Sequence, residues 1–136
     1  MDADHPSKAV VLQRVRNRVI EYLQMLCSYM VDPPPWDLNE TLNQWQDWTD
    51  GPDKFPVPPY TENERGLLDD VQIAWDRFCD VTPKVITDPE AEKRRPEWVA
   101  LQSTAEKALD ELVRRGRMLE SDEEQPPTVK GAQNAV

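Results

Sequence analysis

The placement of proline constrains this chain more than any other feature of its sequence. Thirteen prolines occur in 136 residues, and most lie between apolar stripes and not within them. Proline removes a backbone donor, clashes with the preceding helical turn and pushes the residue before it out of the helical region. Regular structure is therefore confined to the stretches between Pro33-Pro34-Pro35, the Pro52 to Pro59 segment, Pro83, and the pair Pro89 and Pro96.

Those stretches carry a helical period. After Ser7, a suitable N-cap, Leu12, Val15, Val19, Leu23, Leu26 and Met30 recur at spacings of three and four, which predicts a first helix from Lys8 to about Met30. Val11, Ile20, Tyr22, Cys27 and Tyr29 widen the stripe, as in a helix with several neighbours. Asp37 and Glu40 form a capping-box pattern ahead of a second helix bearing Leu38, Leu42, Trp45 and Trp48, closed by Asp50-Gly51-Pro52. Thr61 and Glu64 repeat that pattern ahead of a third, with Leu67, Leu68, Val71, Ala74, Trp75, Phe78 and Cys79 on its apolar face. A short turn near Pro89 and a fresh start near Pro96 precede a fourth stripe of Trp98, Leu101, Ala105, Ala108, Leu109, Leu112 and Val113. Arg114, Arg115 and Gly116 end it, a basic last turn followed by the residue that best tolerates a left-handed cap.

No segment alternates with period two over a useful length, and no internal repeat is visible. The expected fold is all-α: an irregular four-helix bundle with proline-rich connectors and a disordered acidic C-terminal tail. Residues 7–119 are assigned to a single helical domain, residues 1–6 to a disordered N-terminus and residues 120–136 to the tail, which has almost nothing to bury. The segment from Phe55 to Tyr60 is expected to run extended, and both connectors to lay prolines on the bundle's own tryptophans.

Charge narrows the choice of partner. The net charge is −10, which repels phosphate backbones and anionic lipid, so neither direct nucleic-acid binding nor a membrane surface is expected. No apolar run is long enough for a membrane span and the start lacks the features of a signal peptide, which leads to a cytoplasmic expectation. The acidity is local: residues 1–36 carry four acids and four bases, whereas residues 37–64 carry seven acids and Lys54 alone. Arg14, Arg16 and Arg18, with Lys93, Arg94 and Arg95, are the basic clusters, and nearby glutamates point to solvated ion pairs.

The chemical inventory is poor. The single histidine, His5, precedes the first helix and has no shell to orient it as a base. Cys27 and Cys79 fall at apolar helical positions and are expected as reduced thiols, so with one histidine they do not make a zinc site. Asp76 and Asp80 share a helix face, but Arg77 lies between them and no glycine-bearing calcium loop is present. No catalytic, cofactor-binding or metal-binding residue is assigned.

The helical spacing directs Trp45 and Trp48 to the core, with a surface binding platform as the alternative. The leading expectation is a small acidic non-enzymatic binding protein, such as an immunity protein or an inhibitor, that occupies a basic surface of a protein partner. Asp37, Glu40, Asp47, Trp48, Asp50, Asp53, Glu62 and Glu64 are its expected contacts. The alternatives are a structural or assembly component that forms a homo-oligomer and a carboxylate-dependent enzyme.

Overall fold

In the computed structural model, residues 7–49 and 54–123 are described, and they form an all-α, irregular helical arrangement. Helices α1 (Lys8–Cys27), α2 (Leu38–Thr49), α3 (Glu62–Val81) and α5 (Pro96–Arg115) are its four major elements, with a single turn, α4 (Pro89–Glu92), ahead of the last. Local chemistry sets the ends. The Ser7 hydroxyl accepts from the Val10 N–H, and the Asp37 carboxylate accepts from the Glu40 N–H at 2.9 Å. Thr61 and Glu64 make the full reciprocal capping box at the start of α3, with both bonds at 3.0 Å. Asp88 caps α4, where Pro89 takes the first turn. Gly116, at φ +87°, ends α5 in a conformation that a Cβ would strain. The first helix stops at Cys27, short of the expected Met30, because the backbone tightens into a turn in which the Val31 and Asp32 N–H groups both bond the Ser28 carbonyl.

Helices α3 and α5 pack most extensively, α1 lies along α5, and α2 touches α1 more lightly. Val19, Leu23, Leu26, Leu68, Val71, Phe78, Leu101 and Leu112 form the buried apolar centre. Each such apolar side chain withdrawn from water contributes roughly 1.5 to 3 kcal/mol. Ala105 and Ala108, also buried, keep the α5 face narrow enough for close helix contact.

An aromatic chain joins α2 to the rest. Tyr22 meets Trp45 at 5.5 Å between ring centroids, Trp45 meets Phe55 at 6.0 Å, and Phe55 meets Tyr60 edge-on at 5.7 Å. The Trp45 indole N–H donates to the Gln72 side chain at 2.8 Å, which ties α2 to α3. Asn39 bonds both backbone groups of Ile86, at 2.9 and 3.1 Å, and so ties α2 to the segment after α3.

The connectors depart from expectation. Phe55 to Tyr60 is a turn and not an extended run: the Tyr60 N–H bonds the Pro56 carbonyl at 3.1 Å, and the peptide bonds before Pro58 and Pro59 are cis. Phe55, Pro59 and Tyr60 are buried and anchor it to the bundle. Pro33 and Pro35 remain in solvent, and Pro34 is half-buried.

The basic cluster of α1 is divided by the helix phase. Arg16 is fully buried and forms an ion pair with Glu64 at 2.8 Å, so it is not part of a solvated ion-pair surface. Its guanidinium also donates to the carbonyls of Gly116, at 2.7 Å, and Leu112, at 3.1 Å. Arg115 joins Glu64 at 2.9 Å. Beside this network, Gln13 and Asn17 hold the chain that follows α5. Asn17 donates to the Met118 carbonyl and accepts from the Met118 N–H, both at 2.8 Å, and Gln13 donates to the carbonyls of Leu119 and Asp122. The Glu120 carboxylate accepts from Asn17, Arg18 and Arg117. Residues 118 to 122 are thus fastened to α1, and of these Glu120 to Asp122 open the stretch expected as a disordered tail. The expected disorder of residues 1–6 and 124–136 lies outside the described residues.

A candidate acidic and aromatic binding face on α2

Helix α2 packs more lightly against its neighbours than the other long helices do, and open ground flanks it on both sides. Its sequence, LNETLNQWQDWT, contains Glu40 and Asp47 and no basic residue. Leu38, Thr41, Leu42 and Trp45 face inward, which turns Glu40, Asn43, Gln46 and Asp47 outward. Among the described residues neither Glu40 nor Asp47 takes part in an ion pair.

Between α1 and α2 lies an open pocket of about 290 Å³. Tyr22 and Met25 of α1, Trp48 of α2 and Trp36 of the preceding connector supply its apolar lining, and Glu21, Glu40, Asp47 and Gln44 stand at its edge. Trp36 is 39% exposed, and its indole N–H donates to the Thr41 hydroxyl at 3.1 Å, which fixes the ring while leaving it in solvent. The Tyr22 hydroxyl, bonded to the Thr41 carbonyl at 2.7 Å, is held protonated by burial, which pushes its pKa well above the ordinary tyrosine range. Among the described residues Arg18 is the one cation at the pocket, and Glu21 and Glu120 engage it.

On the other side, between α2 and α3, two adjoining depressions of about 720 and 680 Å³ share Gln46, Trp75 and Asp76. Asp47 borders the first and Asp80 the second, with Lys54 and Lys84 among the residues around them. Cys79 lines the second. Burial first, then the charges of Asp76 and Asp80, push its thiol up to about 11, so at neutral pH it is protonated and a weak nucleophile. Cys27 is likewise pushed up to about 11, by burial and then Glu106 and Asp110, and both cysteines are free. Asp76 and Asp80 are exposed, and Asp76 accepts from Gln72 at 3.1 Å. Among the described residues no group of three or more His, Cys, Asp and Glu side chains is arranged to hold a metal, and no helix is long and apolar enough to cross a membrane.

The structure sorts the expected contacts. Glu40, Asp47 and Trp48 come together at the pocket between α1 and α2, with Asp37 exposed at the start of the same helix. Trp45 and Trp48 separate: Trp45 is fully buried, whereas Trp48 is half-buried and reaches the pocket. Glu62 is exposed at the start of α3 and lines none of these three depressions. Glu64 is withdrawn from the set. It is 2% exposed and satisfied by Arg16, Arg115 and the Thr61 N–H, so no partner can reach its carboxylate. Asp50 and Asp53 lie outside the described residues. Trp36, Tyr22 and Met25 were not among the expected contacts. The signals for them were the aromatic that follows Pro33-Pro34-Pro35 and the three-residue spacing of Tyr22 and Met25 on α1.

No family description matches this chain, and no match was found among characterised proteins or among solved structures.

Proposed function

We propose that this chain is a non-enzymatic binding protein that presents α2 to a basic surface of a protein partner. One observation carries the reading: the exposed carboxylates of Glu40 and Asp47 stand on a helix without a cation, beside two accessible tryptophans, and form no ion pair among the described residues. Carboxylates left unpaired on a chain of net charge −10 repel one another, and a cationic partner relieves that repulsion. Accessible tryptophan supplies the rigid apolar anchor that charge alone lacks. Enzymes that act on polyanions have basic substrate sites, so an inhibitor or immunity protein for such an enzyme is the partner class that this face suits.

The test is capture from the native host at increasing salt, with wild-type protein beside a Glu40→Lys, Asp47→Lys variant. A basic protein retained at low salt, released as screening rises and lost with the variant is the expected result. Capture of nothing basic, or retention indifferent to both salt and charge reversal, overturns the proposal.

A further inference from the structure

The pocket between α1 and α2 is specific enough to name what enters it. We infer that it is a socket for one arginine side chain of the partner, with the guanidinium seated against Trp36 and Trp48 and drawn by Glu40 and Asp47. This deepens the reading of α2 as the partner-binding face and rests on it.

Three features converge. The ring of Trp36 is exposed while its N–H is committed to Thr41, so what remains for a ligand is the π face, and such faces attract cations. Trp48 and the flexible thioether of Met25 line the same opening over the buried ring of Tyr22, which offers apolar contact to a ligand's alkyl stem. At the edge, Glu40 and Asp47 have no cationic partner among the described residues, while Arg18 is already bonded to Glu21 and Glu120. The opening therefore combines aromatic faces with unneutralised negative charge, and an apolar side chain would leave that charge unmet. Arginine fits better than lysine. Its planar guanidinium stacks on indole and forks onto carboxylate and amide oxygens, here those of Glu40, Asp47 and Gln44, whereas an ammonium is a compact and strongly hydrated charge.

The experiment follows the indole N–H resonances of the full chain by NMR while blocked arginine amide is added. Blocked citrulline amide, the neutral analogue of nearly the same shape, and blocked lysine amide are the comparison arms. The Trp36 and Trp48 signals, assigned with Trp36→Phe and Trp48→Phe variants, are expected to move with arginine amide, less with lysine amide and scarcely with citrulline amide. Trp36→Leu is expected to weaken arginine amide binding by about two- to fivefold, the effect of one exposed cation–π contact. Glu40→Gln with Asp47→Asn is expected to erase the preference over citrulline. Equal response to citrulline and arginine amides, or no response of either indole to arginine amide, overturns the socket. Failure of the broader reading looks different. If a basic partner is captured through Glu40 and Asp47 and holds Trp36→Leu protein as tightly as wild type, the socket falls and the binding role stands. If arginine amide engages both rings but no basic partner is captured, the socket stands and the role falls.

Discussion

Glu64 and Asp47 belong to the same acidic stretch of sequence, yet the fold treats them in opposite ways. Glu64 is sealed between α1, α3 and the end of α5, where two guanidiniums and a backbone N–H satisfy its oxygens. Asp47 stands in solvent on α2 and has no ion pair among the described residues. Position relative to the helix axis accounts for the difference. Glu64 sits at the third position of α3, where the capping box turns it back towards the chain and towards Arg16. Asp47 follows Trp45 by two residues, and in a helix two residues rotate a side chain to the far face. A buried carboxylate cannot be released without stranding its cations, so it fixes the architecture. An exposed one costs the fold little and is available to a partner.

That contrast sets the scale of the predictions. Glu64→Gln keeps the size of the side chain but leaves Arg16 buried without its counter-charge, and is expected to destabilise by about 3 to 5 kcal/mol. Asp47→Asn is expected to change stability by no more than about 0.5 kcal/mol. Urea unfolding of the two variants side by side measures the difference, and equal midpoints would break the comparison. Asn17→Ala comes next. It removes both partners of the Met118 backbone in a buried setting, with an expected loss of roughly 1 to 3 kcal/mol and earlier proteolysis after Arg115.

A further expected effect is on the pH dependence. The thiols of Cys27 and Cys79 have ordinary values of 9.0 and are raised to about 11 in the fold, chiefly by burial. Above pH 9 the unfolded chain loses these protons before the folded chain does. The contribution of the thiols to stability is therefore complete below 9 and is lost as the pH climbs towards 11. Melting temperatures across that window should fall less steeply for a Cys27→Ala, Cys79→Ala variant than for wild type. Parallel curves would show that other groups set the alkaline limit.

Much of the secondary structure was legible in the residues. Thr61 with Glu64, Pro89 after Asp88, Pro96, and Gly116 after two arginines act within one turn of the chain, and each marks a boundary that the fold keeps. The signal for Arg16 was present but faint. It lies three residues before Val19 and four before Ile20, on the inward face, whereas Arg14 and Arg18 flank it at positions that reach solvent. Counting charges along the sequence hides that phase. The candidate site was half legible. Glu40, Asp47 and Trp48 were expected together, but Trp36, Met25 and Tyr22 joined them only when the connector and α1 were set in space.

The sequence by itself determined four helical stretches, the N-caps of the first three and the concentration of acid between Asp37 and Glu64, because propensity, capping and formal charge are properties of neighbours in the chain. Tertiary structure alone decided that Arg16 and Glu64 meet across 48 positions, that Gln13 and Asn17 clasp residues 118 to 122, and that Trp48 opens to a pocket while Trp45 does not. Those outcomes depend on which faces meet once the stripes are buried together, a choice made by packing among distant segments.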